Sequence, residues 1–279
     1  MGGNICPING CTVDKGSISK VQIPKNPIAR FQTIEYLRSF MAGRLGWEKI
    51  SSLLIISGAF GLFRKERIVG IGGYLTERGK YKKDTVGEDM ELVVRISRHM
   101  HEIKQSFKIR YSFNANCWTE VPEDLKSLKT QRYRWHRGLI DILYFHRKML
   151  FNPRYGTTGL VSLPYFFIFE AIGPIIEVQG YIMVVLAGIL GILNIEIALL
   201  LFITVILFGV IVSLTSLLIA EREQQYFSVG DMFKLIGFAI IENFGIRQLI
   251  SLWRIGGQLS IVVGKGGWGH VKRKGQKNE

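Results

Sequence analysis

IEIALLLFITVILFGVIVSLTSLLIA, residues 195–220, carries no charged side chain between Ile197 and Ile219. A run of this length and polarity reads as an α-helix that crosses the roughly 30 Å hydrocarbon layer of a bilayer. It fixes the character of the C-terminal side, and the rest of the chain is read outward from it. Residues 163–193 are also apolar, are longer than one span needs, and hold Pro164, Glu170, Pro174 and Glu177. An interfacial helix to about Ile172 and then a span near 174–193 are expected there. Residues 232–253 are a weaker candidate, interrupted by Lys234, Glu242 and Arg247. A basic tail over 261–279 follows, with Lys265, Lys272, Arg273, Lys274 and Lys277.

Charge decides between two broad classes. The 279 residues carry a formal net charge of +14 and are 48% hydrophobic. Such a balance fits a nucleic-acid binder or a membrane protein with a basic cytoplasmic face. The long apolar runs appear only after Leu160, which favours the membrane, where Lys and Arg collect on the cytoplasmic side. Basic groups there also meet anionic lipid heads or an anionic substrate. No basic helix or aromatic platform stands apart from the motifs below, so no nucleic-acid partner is expected. If residues 1–155 and the tail share one side, two spans satisfy the parity and three do not. Residues 232–253 are then re-entrant or interfacial, or the region before Leu193 crosses differently.

Residues 1–155 read as a soluble mixed α/β unit. Pro24 and Pro27 mark an irregular or extended stretch. Apolar spacing predicts a helix over 31–46. Residues 52–56 read as a buried strand entering a tight turn at Gly58 and Gly61. Helices are expected over 88–101 and from Pro122 through 145, with a strand at 108–113. Cys6, Cys11 and Cys117 make no disulfide framework, and free thiols are the expected state.

Two motifs can carry chemistry. Glu88-Asp89 pairs two carboxylates at a loop-to-helix junction, where an acidic residue either caps the free N–H groups or serves a site. In Gln131-Arg132-Tyr133-Arg134-Trp135, Gln131, Arg134 and Trp135 fall at i, i+3 and i+4 and share one helix face. A guanidinium there can take a diphosphate bidentately, and an indole can stack on a sugar ring. An amphipathic helix with a Trp anchor at the membrane surface fits the same residues. His99 and His101 point to different sides of a helix, which disfavours a metal site. His136 and His146 are expected to be interfacial or solvated. Glu170 and Glu177, seven apart, share a face and either line a polymer path or sit at the interface. Gly264 to Gly269, with Trp268, are expected to form an interfacial anchor beside the basic tail.

Together the motifs narrow the choice. An acidic pair after a Gly-rich turn, then Q-x-x-R-W, then apolar spans, resembles the processive family-2 glycosyltransferases, the cellulose, chitin, hyaluronan and poly-N-acetylglucosamine synthases. Glu35-Tyr36-Leu37-Arg38, the acceptor-side turn Ser57-Gly58-Ala59-Phe60-Gly61-Leu62-Phe63, and Val86-Gly87-Glu88-Asp89-Met90-Glu91-Leu92 add to the resemblance. It implies an α/β fold: the C-terminal portion of a GT-A-type domain followed by interfacial and transmembrane helices. It implies a multi-pass plasma-membrane enzyme with its catalytic part in the cytoplasm, inverting transfer from a nucleotide sugar, and a glycan acceptor. By the resemblance Asp89 is the general base and Glu88 sets the site's electrostatics. Gln131, Arg134 and Trp135 bind diphosphate and acceptor sugar, and Ser57 and Gly58 border the acceptor. The family also carries an acidic D-x-D that holds Mg²⁺ or Mn²⁺. This sequence has no D-x-D, and Gly2-Gly3-Asn4 resembles the strand that follows that motif. The expectation is therefore a truncated chain, or one half of a split enzyme with a separate N-terminal half, inactive alone. A non-catalytic remnant or accessory subunit that binds a partner or a glycan is the alternative.

Overall fold

The structure is a computed structural model that describes residues 1–77, 84–224 and 226–262. It is mixed α/β, with two or three apolar helices long enough to cross a membrane. The expected basic tail, with its Gly/Trp segment, lies outside the described residues apart from its first two positions.

Strand β1 (Gly2–Pro7) pairs in parallel with β4 (Tyr111–Thr119), from Gly2 opposite Tyr111 to Pro7 opposite Thr119. A short hairpin, β2 (Thr12–Asp14) and β3 (Ser17–Lys20), follows β1 and turns through Lys15 and Gly16, both at positive φ. The strand expected at 108–113 thus starts at Tyr111 and runs on to Thr119. Residues 52–56 are nearly all buried but join no named strand. Leu54 packs in a cluster with Met90 and Val94, and Leu53 and Ile56 pack in another with Val93 and Tyr111. Burial, rather than pairing, produced the apolar run that read as a strand.

The first helix starts earlier than its apolar spacing suggested. Asn26 accepts from the Ile28 and Ala29 amides at 2.8 and 3.3 Å, and Pro27 takes the first helical position. That is a side-chain cap followed by a residue with preset φ, so Pro27 opens a helix instead of lying in an extended stretch. Helix α1 (Pro27–Tyr36) runs through a π-helical segment, Leu37–Ala42, into α2 (Gly43–Lys49). Helices α3 (Lys65–Gly70), α4 (Glu88–Glu102) and α5 (Leu125–Phe145) complete the soluble half, α5 capped by Asp124 on the Ser127 amide.

One core cluster joins Leu54, Met90 and Val94 to Leu139, Ile142, Leu143 and Met149. A charged network lies behind it. Glu91 receives Arg95 Nε at 2.7 Å and Nη2 at 3.0 Å, and Arg95 also donates to the carbonyls of Ile71 and Gly73. His146 Nε2 sits 3.4 Å from Glu91, and all three residues are buried. Neither His146 nor His136 is solvated, contrary to expectation. His136 meets Gln258 at 2.7 Å, and burial, with the Arg254 charge second, pushes its imidazole down to about 3. Both follow apolar residues on α5 or at its end, where the helix faces the core.

Beyond Met149, short α6 (Leu163–Tyr165) and α7 (Gly173–Ile189), with π-helical turns at Thr158–Ser162 and Phe166–Ile172, form one helical run over Thr158–Ile189. The break expected near Ile172 is a π segment within this run. Helix α8 (Ile195–Gln224) follows a turn at Gly191 and has a mean hydropathy of 3.1 over its apolar stretch. Most apolar side chains of α7 and α8 are exposed, which a soluble surface of this extent does not tolerate. Helices α9 (Val229–Ile241) and α10 (Ile246–Val262) meet at a 60° bend. Glu242 and Asn243 lie buried at that bend, and Glu242 receives Arg38 Nη1 at 2.6 Å.

The bent pair contacts residues 1–155 near its start, where Met232 packs with Ile23 and Ile34, at its bend, where Glu242 binds Arg38, and near its end. Phe238 of α9 packs edge-on against Phe31, and Gln258 of α10 binds His136 and the Ala171 carbonyl. A Cβ placed on Gly256 would fall 2.1 Å from the Tyr133 hydroxyl, and one on Gly257 2.9 Å from the Tyr133 carbonyl oxygen. Glycine at both positions lets α10 lie directly on α5. Glu170 and Glu177 turn toward α10: Glu170 pairs with Arg254, and Glu177 accepts from Ser251 at 2.5 Å and from Tyr181.

Candidate active site

Helix α4 begins with three acidic residues in its first turn, Glu88, Asp89 and Glu91, at the positive end of the helix dipole. Asp89 does more than cap. Its Oδ1 accepts from the Met90 amide at 2.8 Å, and its Oδ2 reaches across the chain to accept from the Gly58 amide at 3.0 Å. The Ser57-Gly58 turn and the acidic pair, thirty-one residues apart, are therefore one structure. Ser57 holds φ at 54°, a left-handed value that non-glycine residues adopt only with support. A Cβ on Gly58 would lie 3.5 Å from Asp89 Cβ and 3.7 Å from Glu88 Oε1. It would fit, and it would fill the space in front of both carboxylates. Glycine keeps that space open.

Glu88 is less well provided for. Its Oε2 is buried with no partner among the described residues. Burial pushes its carboxyl above the usual carboxylate range, the neighbouring Asp89 adds to that, and its own backbone amide and the Arg134 charge oppose it.

The second motif lies on α5 and reaches the acidic pair through a glycine contact. A Cβ on Gly138 would fall 3.0 Å from Gly87 Cα and nitrogen, and one on Gly87 would fall 2.9 Å from Ile142 Cδ1. Two backbones in contact bring Gly87, the residue before the pair, against the helix that carries Gln131, Arg134 and Trp135. Gly138→Ala sets two magnitudes against each other: a gain of about 1 kcal/mol in helix propensity and an overpacking cost of about 1–3 kcal/mol. A net loss of stability of about 1 kcal/mol is expected in thermal unfolding. A stabilised variant would show that the two helices separate freely.

Within the pentad, the structure divides the labour. Arg134 faces Glu88 electrostatically. Gln131 lies beside the Tyr36 hydroxyl, while its Oε1 is buried without a partner among the described residues. Trp135 packs beside Phe40 at 6.0 Å, and the Arg132 guanidinium lies over its ring at 4.5 Å, so one indole face is already covered. Arg132, one of the x positions, is buried and grips Glu35 with two bonds of 2.5 and 2.6 Å. The Glu35-Tyr36-Leu37-Arg38 stretch thus supplies a partner for Arg132, a neighbour for Gln131 and a partner for Glu242.

Sequence reasoning passed over Arg44. It is 3% exposed, donates Nη2 to Ser57 Oγ at 2.7 Å, and stacks on Phe40 at 4.4 Å. A lone arginine in an amphipathic helix gives no signal of this kind. Among the described residues no group of three or more His, Cys, Asp or Glu side chains is placed to hold a metal ion, and the three cysteines are free. With only the Glu88-Asp89 pair and no further ligand beside it among the described residues, these residues by themselves do not fit a divalent cation.

Residues 16–219 match the family model described as "Glycosyl transferase family group 2". The chain belongs to that family. Among curated proteins it is similar to poly-beta-1,6-N-acetyl-D-glucosamine synthase of Staphylococcus aureus, 34% identical over 121 residues. It is also similar to the synthase of the same name from Staphylococcus epidermidis, 29% identical over 116 residues. Each match covers 42% of this chain and 25% of the relative, so the matched stretch spans a quarter of those proteins' length.

Proposed function

We propose that the chain is the acceptor-side part of a multi-pass plasma-membrane glycosyltransferase. It transfers a sugar from a nucleotide donor, in the first instance a UDP sugar, to a growing polysaccharide with inversion at the anomeric carbon. The observation that carries the reading is the bond from the Gly58 amide to Asp89, which ties the acceptor-side turn to the acidic pair. Asp89 takes the proton of the acceptor hydroxyl as that oxygen attacks; a held carboxylate within hydrogen-bond reach suits this role. Glu88 shapes the local field. Arg134 and Gln131 bind the diphosphate, and the free side of Trp135 meets the acceptor sugar beside Ser57 and Gly58. The polymer made by the similar synthases supports a polysaccharide product.

The nucleotide-binding side, with the oxygen ligands for Mg²⁺ or Mn²⁺, comes from residues outside these 279. The sheet supports this. Parallel strands occur buried in larger sheets, yet β1–β4 is a two-stranded parallel pair, and β4 has no strand on its far side among the described residues. Further strands docking there complete a GT-A-type domain over 1–155, with interfacial and membrane helices over 156–260. Thr158–Ile189 and α8 cross the bilayer. The bent α9–α10 pair lies along the membrane interface, since its start, its bend and its end all touch residues 1–155. That arrangement leaves the catalytic part and the tail on the cytoplasmic side, next to lipid heads.

The test is sugar transfer from labelled UDP sugars by the purified chain in nanodiscs, alone and with a D-x-D half supplied from a related synthase. No transfer by the chain alone and transfer by the assembly are expected. Transfer by the chain alone overturns the split of the site. Tight glycan binding with no transfer in either arm supports an accessory subunit instead.

A further inference from the structure

We infer that Arg44 is a positioning residue for the acceptor-side turn: its guanidinium, bonded to Ser57 Oγ, holds the Ser57-Gly58 backbone where the Gly58 amide meets Asp89. The catalytic consequence rests on the reading of Asp89 as the base; the structural coupling does not.

Arg44 is 3% exposed, makes no ion pair among the described residues, and leaves Nη1 buried without a partner. A buried cation without a carboxylate against it costs several kcal/mol, and an apolar residue of similar length removes that cost. Burial pushes the guanidinium down to about 10, and only the nearby Tyr111, Asp89 and Tyr36 act the other way. Stacking on Phe40 offsets part of the cost.

What Arg44 obtains for that cost is a chain of contacts ending at the acidic pair. Arg44 Nη2 donates to Ser57 Oγ at 2.7 Å. Ser57 stands at φ 54°, a strained value that persists only where the surroundings over-determine it. The next amide, Gly58, donates to Asp89 Oδ2 at 3.0 Å. On its other side Arg44 lies on Phe40, whose ring neighbours Trp135. One side chain thus contacts the supports of both motifs. It is the second residue of α2, two after the π-helical segment ends, and such segments recur at functional sites.

The experiment uses the chain in nanodiscs, labelled with ¹⁵N-glycine, and reads the Gly58 amide, identified by its loss in Gly58→Ala. Asp89→Ala supplies the resonance position of the unbonded amide. In Arg44→Gln and in Ser57→Ala the Gly58 resonance is expected to move toward that position, with the other glycine resonances in place. Arg44→Lys is expected to recover part of the shift. An unmoved Gly58 resonance in Ser57→Ala overturns the proposal, and that variant decides alone if Arg44→Gln does not fold. In the assembled transferase, Arg44→Gln is expected to lower kcat about tenfold with the donor KM unchanged. A matching change in KM alone overturns the positioning role. If Asp89→Asn keeps full transfer, the base assignment falls while the Gly58 result stands.

Discussion

In the assembled transferase, Asp89→Asn is expected to lower kcat by about 10²–10⁴-fold, the usual contribution of a general base, and to leave nucleotide binding unchanged. The substitution keeps the shape of the side chain and removes its capacity to take a proton. It also has a small structural cost. Asp89 accepts from two backbone amides, one on each oxygen, and asparagine has one acceptor oxygen. One of the two bonds is lost, for roughly 1 kcal/mol. The Gly58 turn and helix α4 therefore remain folded, and a large fall in rate is assigned to chemistry. Transfer rates and nucleotide binding measured side by side check this, and transfer at the parent rate removes Asp89 from the base role.

Glu91→Ala is expected to have the largest effect on stability, a loss of about 3–5 kcal/mol, the range for breaking one side of a buried ion pair. Removing Glu91 takes from the buried Arg95 guanidinium the carboxylate that receives two of its bonds. His146 is no substitute, because an imidazole is neutral or cationic and never supplies the negative charge that is lost; burial, the largest influence, holds it below the ordinary range. Because Arg95 ties the Ile71–Gly73 turn to α4, the same variant should expose that turn to protease. Glu91→Gln keeps a hydrogen-bonding oxygen and is expected to cost less. A Glu91→Ala chain whose unfolding midpoint matches the parent would show that the network is dispensable.

The sequence made the two motifs legible because their geometry is local. Gln131, Arg134 and Trp135 share a face by helix periodicity alone, and Glu88-Asp89 announces a helix start. What joins them is not local. The Gly87–Gly138 contact and the Gly58–Asp89 bond link segments far apart in the chain, and no spacing rule reports them. Spacing singled out neither Arg44 nor Arg132, and His146 read as interfacial or solvated; each meets a partner on another element instead. The run at 52–56 misled in the opposite direction, since burial on both sides and strand pairing leave the same apolar pattern. The long apolar helices were legible from composition, apart from the bend between α9 and α10, which only Lys234, Glu242 and Arg247 hinted at.

The helical run Thr158–Ile189, at 32 residues, is roughly 48 Å long, against about 30 Å of hydrocarbon. Its excess length is not spare. Leu163 and Ala171, on the first turns, belong to the same core cluster as Met90 and Leu139. The N-terminal half therefore packs directly on this helical run, with no slack tether between them. On the proposed reading of the run as a span, hydrophobic mismatch tilts or slides the two as a unit, and bilayer thickness sets the height of the acidic pair above the headgroups.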